Sequence, residues 1–237
     1  MTAGGVDFHS HILPGIDDGS ASAEESVAML RMEAQQGIGR VVATPHFYPR
    51  YETPEQFLQK RELAEAQLRE VMAEHTDLPE LLVGAEVYFF PGMSESDFLP
   101  QLTIGQTRCI LVEMPHAPWN RSVYRELASI WEKRDLIPVI AHIDRYIRPF
   151  HTYGIPDRLE ELPVFVQANG EFFLDRSTAS MALRMLKKDR IQLLGSDCHN
   201  TSDRVPNLDA ARRVIARKLG QEALERIASY EAQLLDD

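Results

Sequence analysis

Short apolar runs alternate with longer amphipathic segments from one end of the sequence to the other. The runs are Val6–His9, Arg40–His46, Leu81–Phe89, Cys109–Met114, Ile137–Ile143, Val164–Asn169 and Ile191–Asp197. Each is short and largely apolar on both faces, which predicts strands buried on both sides, as in a parallel sheet. Between and after them the 3.6-residue period predicts helices over Ser22–Gln36, Pro54–His75, Arg121–Arg134, Arg176–Lys188, Leu208–Leu219 and Gln221–Leu234. Ser20 and Ser22 offer N-caps for the first of these, and Gly37 a stop. Seven strands alternating with helices favour a closed or nearly closed α/β barrel over an open sheet. No internal repeat, low-complexity tract or linker interrupts the pattern, so residues 1–237 are expected to form one domain.

Composition narrows the class. The chain has 237 residues, 44% of them hydrophobic and 26% charged, enough for a sizeable core. No apolar run is long enough for a membrane span. The opening Met1–Gly5 lacks a basic region followed by an apolar stretch, which points away from a secretory signal. The two cysteines, Cys109 and Cys198, indicate no disulfide framework, and a reducing cytoplasm is the expected compartment. A formal net charge of -11 argues against a general nucleic-acid binder, although carboxylates that hold metal leave room for an anionic substrate.

In a β/α barrel the chemistry sits at the carboxyl ends of the strands, and the ionisable residues of this chain collect there. The first strand ends in His9-Ser10-His11 and runs on to Asp17-Asp18-Gly19, and the second ends in Thr44-Pro45-His46. Glu86 and Glu113 lie in the third and fourth, and His142 near the end of the fifth; the seventh ends Asp197-Cys198-His199. Glu86 or Glu113 alone reads equally well as a buried acid paired with arginine. Together, so many carboxylates and imidazoles at one barrel mouth are too costly to bury without a cation. The mixed nitrogen and oxygen donors suit several divalent ions. His75 reads as a residue at a helix end, while His116 and His151 sit in loops from which a substrate contact is conceivable.

The set His9-Ser10-His11, Thr44-Pro45-His46, Gly84-Ala85-Glu86, Val112-Glu113, Ala141-His142 and Gly195-Ser196-Asp197-Cys198-His199 resembles the polymerase and histidinol phosphatase (PHP) superfamily, in the right order over almost the whole chain. Three details resemble its manganese-dependent protein-tyrosine phosphatases of bacterial capsule and exopolysaccharide synthesis: His9-x-His11-x5-Asp17-Asp18-Gly19, Ala141-His142-x-x-Arg145, and Asp197-x-His199 followed by Arg204. The resemblance implies a distorted (β/α)7 barrel with three divalent ions, manganese by family, with iron, zinc or cobalt also compatible with the donors. The first ion would take His9, His11, Glu86 and Asp197. The second would take Glu86, Glu113 and His142, and the third Asp18, His46 and His199. Asp17, next to Asp18, is not separated from it by sequence; the family match favours Asp18.

Clustered divalent ions neutralise phosphate oxygens and make hydroxide available near neutral pH. Arg145 and Arg204 are the candidates to hold the phosphoryl group, since guanidinium matches phosphate bidentately; the ordinary alternative is an ion pair with Asp144 or Asp203. The general acid is unassigned. Cys198 and Arg204 also stand in the C-x5-R spacing of cysteine-dependent phosphatases. However, the intervening residues contain no glycine, Asp197 and Asp203 would repel thiolate and phosphate, and period two turns Cys198 away from the mouth.

The resemblance implies, as partner, the phosphotyrosine tail of a bacterial polysaccharide-export tyrosine kinase, with no nucleic acid. A homo-oligomer is left open. Other readings are a small-molecule phosphatase resembling histidinol phosphatase, a phosphodiesterase or exonuclease, and a non-catalytic metal-binding module. Phe47–Tyr51, Met114–Trp119 and Tyr146–Pro149 are expected to surround the mouth with aromatic and basic groups, or else to be ordinary loop packing.

Overall fold

The structure is a computed structural model describing residues 4–147 and 154–236. The parallel strands are β1 (Gly5–Ser10), β2 (Ile38–Ala43), β3 (His46–Phe47), β4 (Glu80–Val83), β5 (Glu86–Tyr88), β6 (Cys109–Glu113), β7 (Ile137–Ile140), β8 (Phe165–Asn169) and β9 (Leu193–Gly195). They form a three-stranded sheet in the order β1-β2-β4 and a six-stranded sheet in the order β3-β5-β6-β7-β8-β9.

The strand expected over Arg40–His46 is therefore two pieces, as is the one expected over Leu81–Phe89. Pro45 has no N–H to give a ladder, and at Thr44-Pro45 the chain leaves one sheet for the other. The neighbour breaks at Gly84-Ala85, where Gly84 N–H still bonds Ala43 carbonyl (2.8 Å) and Glu86 N–H already bonds Pro45 carbonyl (2.9 Å). Hence β2 and β3 act as one bent barrel strand, as do β4 and β5. The ring closes where Asp197 N–H bonds His9 carbonyl (2.8 Å) and His11 N–H bonds Cys198 carbonyl (2.9 Å). Seven staves result, and the fold is the expected distorted (β/α)7 barrel.

Helices cover the outside. α1 (Ala23–Gln35) starts at Ser22, whose hydroxyl accepts from Glu25 N–H, and the chain turns at Gly37 with φ 76°. α2 (Pro54–Met72) has Pro54 in its first turn and a capping box between Thr53 and Gln56. It stops before His75, which lies beyond the helix against Arg31 (3.3 Å). α3 (Arg121–Arg134) is capped by Asn120. Three short helices escaped the sequence pattern: α4 (Asp144–Ile147), α5 (Ile155–Leu159) and α6 (Gly170–Leu174). α4 and α6 follow the ends of β7 and β8, and none of the three has a full amphipathic period of its own. α7 (Ala179–Lys187), α8 (Leu208–Leu219) and α9 (Gln221–Leu235) complete the chain. Among the described residues no helix is long and apolar enough to cross a membrane.

Candidate metal centre

Eight of the nine ligand candidates converge on one end of the barrel with little water access, and Asp18 overhangs them. His9, His11, Glu86, Glu113, His142, Asp197 and His199 are buried and His46 is half-buried, whereas the Asp18 side chain is 63% exposed. Nε2 of His9 and of His11 are 3.1 Å apart, and both lie 3.4 Å from Glu86 Oε2. Asp197 Oδ1 stands 3.6 Å from the first nitrogen and 3.4 Å from the second. Asp18 Oδ1 faces Nε2 of His46 (3.5 Å) and of His199 (3.4 Å). His142 Nε2 meets Glu86 Oε1 at 2.7 Å.

Potential ligand atoms of His11, Asp18, His46 and His199 lie within 4.8 Å of one another, as do those of His9, His11 and Glu86, and those of His46, Glu86 and Glu113. These groups overlap the subsets expected from sequence without repeating them: the third gains His11, the first holds its span without Asp197, and the second has His46 where His142 was expected. His46 stands between two of them, with Nδ1 2.8 Å from Glu86 Oε2 and 3.9 Å from Glu113 Oε2.

The tautomers decide whether a cation fits. His11 Nδ1 faces the Asp17 carboxylate at 2.8 Å, His9 Nδ1 faces Gln167 Oε1 at 3.3 Å, and His199 Nδ1 faces the Asp197 carbonyl at 3.0 Å. Each of those acceptors keeps a proton on Nδ1, so three Nε2 atoms face the cluster, where a second proton or a metal ion can meet them. Two lone pairs 3.1 Å apart repel unless positive charge lies between them. Donors about 2.1 Å from one ion and at right angles to each other would be separated by roughly 3 Å. Buried Glu113 Oε2 and His199 Nε2 have no hydrogen-bond partner, a need that a cation in the cluster would meet. The donor set fits divalent ions.

Titration tells the same story. Burial works against charge on His9 and His11. Even so, Glu86 and Asp197 around His9, and Asp17, Asp197 and Glu86 around His11, push both imidazoles above their ordinary value. Burial likewise opposes ionisation of Glu86 and Asp197, but the surrounding histidines, joined at Asp197 by Arg145, hold both well below the carboxylate range. Glu113 moves up through burial and the charge of Glu86. Burial leaves His142 at about 4 despite its bond to Glu86. His199 is also at about 4, from burial and then the charge of His11.

Asp17 and Asp18 separate clearly. Asp17 turns inward: its Oδ2 takes His11 Nδ1 and the His46 N–H (3.0 Å), and its Oδ1 takes the Gly19 N–H (2.9 Å). It holds His11 and the His46 backbone, while Asp18 Oδ1 faces the Nε2 atoms of His46 and His199. Gly19 is required here, since a Cβ would lie 2.2 Å from the His11 carbonyl oxygen.

Arg145 and Arg204 both close on Asp197 rather than forming the ion pairs envisaged with Asp144 and Asp203. Arg145 Nη2 bonds Asp197 Oδ2, and Arg204 Nη2 bonds Oδ1 at 3.0 Å, with its Nη1 3.6 Å from Asp18. The two guanidiniums share a polar cavity of about 650 Å³ with Asn169, Ser196 and Asn207.

Cys198 faces away from the mouth. It is fully buried, its Sγ is 4.0 Å from Glu33 Oε1, and burial with the charges of Glu33 and Asp7 pushes the thiol well up. Nothing about it resembles an activated nucleophile.

Other side chains of the site gave little warning in the sequence. Tyr146, expected on the rim, is buried beneath it: its hydroxyl accepts from Met114 N–H (2.9 Å) and lies 3.0 Å from His142 Nδ1. Phe47 and Trp119 are likewise in the core. The aromatic groove that does flank the mouth, about 480 Å³, is formed by Tyr48–Tyr51 and Tyr88–Pro91. His116 packs its ring against Tyr146 (5.7 Å between centroids), and Arg148, Pro149 and His151 lie outside the described residues. Gln167 and Asn169 form an amide chain: Gln167 Oε1 accepts from His142 N–H (2.6 Å), its Nε2 donates to Asn169 Oδ1 (3.0 Å), and Asn169 Nδ2 donates to Asp197 Oδ2 (3.0 Å). Buried Q-x-N on one face of a strand is the signal that could have exposed it.

Comparison with known proteins settles the lineage. A family model described as capsular polysaccharide synthesis, CpsB/CapC, matches residues 5–235. The chain belongs to the CpsB/CapC family. It is 29% identical over 232 residues to the tyrosine-protein phosphatase CpsB of Streptococcus pneumoniae, covering 94% of each chain. It is also 29% identical over 240 residues to the tyrosine-protein phosphatase YwqE of Bacillus subtilis, covering 97% of this chain and 91% of that one. A crystal structure from the work on those two proteins, described there as metal-dependent tyrosine phosphatases, superposes with a TM-score of 0.84 at 24% identity over 98% of this chain and 94% of that one. That likeness shows the CpsB/CapC barrel itself.

Proposed function

We propose that this chain is a metal-dependent phosphomonoesterase that hydrolyses phosphotyrosine on protein, at a centre of three divalent ions, with manganese as the working metal. The observation that carries this reading is the pair of Nε2 atoms 3.1 Å apart on His9 and His11, each with its opposite nitrogen committed as a donor. His9, His11, Glu86 and Asp197 would hold one ion, Glu86, Glu113 and His142 the second, and Asp18, His46 and His199 the third. Bound there, divalent ions supply charge neutralisation for phosphate oxygens and lower the pKa of water.

The chain's own groups do the rest. Arg145 and Arg204 lie beside Asp197 at the edge of the cluster, so a phosphoryl group entering there meets two guanidiniums that share one carboxylate. Transferring donors from Asp197 to phosphate keeps both arginines charge-paired throughout. Burial of the cluster excludes bulk water and strengthens these contacts. The aromatic groove next to His46, with the Tyr48 ring tilted against it at 5.0 Å between centroids and Arg50 at its edge, suits a substrate presented on a peptide rather than a small alkyl phosphate. A phosphorylated tail of a tyrosine kinase in polysaccharide export is the partner consistent with family membership.

The test is a parallel assay of a phosphotyrosine peptide, histidinol phosphate and a phosphodiester, with manganese and with EDTA. Manganese-dependent turnover of the peptide above the other two is expected. Equal or better turnover of histidinol phosphate would assign a small-molecule phosphatase instead.

A further inference from the structure

The amide chain through Gln167 and Asn169 has a direction, and both of its ends fix it. The backbone N–H of His142 can only donate, so the Gln167 atom 2.6 Å from it is the oxygen, Oε1. The amide nitrogen then points the other way, to Asn169 Oδ1, which leaves Asn169 Nδ2 facing Asp197. The carboxylate there can only accept, and the 3.0 Å contact to Oδ2 satisfies it. Neither amide can flip without setting donor against donor or acceptor against acceptor.

One further contact gives this order a consequence. The same Gln167 Oε1 lies 3.3 Å from His9 Nδ1 and can only accept, so it holds the proton on that nitrogen and turns the Nε2 lone pair of His9 into the cluster. His142 and Asp197 themselves occupy unusual backbone, with φ of 30° and 54°. Such conformations are costly and persist only where surroundings impose them. Gln167 is fully buried, and Gly195 lets it pass: a Cβ there would lie 2.7 Å from Gln167 Nε2 and 2.6 Å from His9 Cβ.

We propose that Gln167, with Asn169, is a positioning relay that presets His9, His142 and Asp197 together and so makes two of the ion subsites load as one unit. The proposal rests on the metal-centre part of the functional reading and not on the identity of the substrate. Gln167 touches no substrate in this scheme; it acts through the three ligands it orients.

The experiment measures binding of manganese itself, by equilibrium dialysis and by the electron paramagnetic resonance of free Mn2+, on wild type, Gln167→Leu, Gln167→Glu and Asn169→Leu. Partners that orient ligands are worth about 10- to 100-fold in metal affinity. Gln167→Leu is expected to weaken two ions together by at least about tenfold. Gln167→Glu, kept neutral by burial with its O–H toward Asn169 Oδ1, keeps an oxygen for His9 and His142 and should recover most of that loss. Asn169→Leu releases Asp197 and Gln167 Nε2, but the His142 N–H still fixes Gln167 Oε1, so it should weaken one ion and leave the other near wild type. Melting of the metal-free proteins is followed alongside. If Gln167→Leu does not fold, Asn169→Leu and Gln167→Glu carry the test. A folded Gln167→Leu or Asn169→Leu with manganese affinity within twofold of wild type at every ion, whether or not metal-free melting falls, would overturn the relay. So would Gln167→Glu no better than Gln167→Leu. A wild type that binds manganese but cleaves no phosphomonoester ends the phosphatase reading and leaves the relay standing. One that binds no manganese ends both.

Discussion

Asp17 Oδ2 accepts both the Nδ1 proton of His11 (2.8 Å) and the backbone N–H of His46 (3.0 Å), so one oxygen aims two histidines at the same cluster. Asp17→Ala should therefore weaken metal binding about 10- to 100-fold without removing a ligand. Asp18→Ala should instead reduce the number of ions bound. Metal stoichiometry and affinity, measured separately, distinguish the two. Loss of an ion in Asp17→Ala, with Asp18→Ala changing affinity alone, would show that the neighbouring acids have been assigned the wrong way round.

His9→Ala and His11→Ala each remove one of the facing Nε2 donors. Phosphatase activity should disappear in both while circular dichroism still reports a folded barrel, since neither imidazole belongs to the hydrophobic clusters. Full activity of either variant at limiting manganese contradicts the site.

Arg145→Ala and Arg204→Ala should each lower kcat/KM on the order of 100-fold, the usual cost of losing one preorganised donor to developing charge. Manganese content should stay close to wild type, because neither guanidinium is a ligand. Substantial metal loss in these variants would mean that they act by holding Asp197 rather than phosphate.

Cys198→Ser should retain activity, and EDTA should abolish it in both proteins. The thiol is buried on the α1 side of the strand, held well up in pKa and turned from the mouth. Loss of turnover in Cys198→Ser, with EDTA harmless, would hand the chemistry to the cysteine.

Glu231 on α9 offers a test of pH dependence away from the site. Burial raises its carboxyl to about 7, partly offset by the charge of Arg212 and the Val6 N–H. The native state thus binds more protons than the unfolded one between the ordinary glutamate value and about 7. This contribution to stability is fully present below about 4.5 and is lost as pH rises through about 7. Glu231→Gln should be nearly neutral at pH 5 and stabilising by roughly 1–3 kcal/mol at pH 8, since one pKa unit is worth about 1.4 kcal/mol. Thermal melting at the two pH values decides it; an equal shift at both would remove the titration argument.

The charged part of the site was readable because its spacing is local and its chemistry expensive. His9-x-His11 sits on a strand end, where period two puts both members on one side, and Asp197-x-His199 follows β9 directly, with Asp197 in a left-handed conformation. The part that escaped is uncharged or depends on the fold. Gln167 and Asn169 look like any polar strand end until both termini of their hydrogen-bond chain are seen. Tyr146 looked like a rim aromatic because nothing in the sequence says that α4 folds inward under His142. The choice between Asp17 and Asp18 depends on the direction of one turn, set by the close approach of Gly19 to His11. The seven-strand pattern was legible, but the two breaks were not: apolar character continues through Thr44-Pro45 and Gly84-Ala85, and only the ladder shows the change of sheet.

That change of sheet has a mechanical side. His9 belongs to the three-stranded sheet, and His46, Glu86 and Glu113 to the six-stranded one, so the cluster straddles the seam between them. Ions bound there would act as rivets across a joint that has few ladder bonds of its own. Loading and stripping metal should therefore change how freely the joint breathes, with amide exchange at His46–Phe47 and Glu86–Tyr88 slowing on loading while the strands far from the seam keep the same pace.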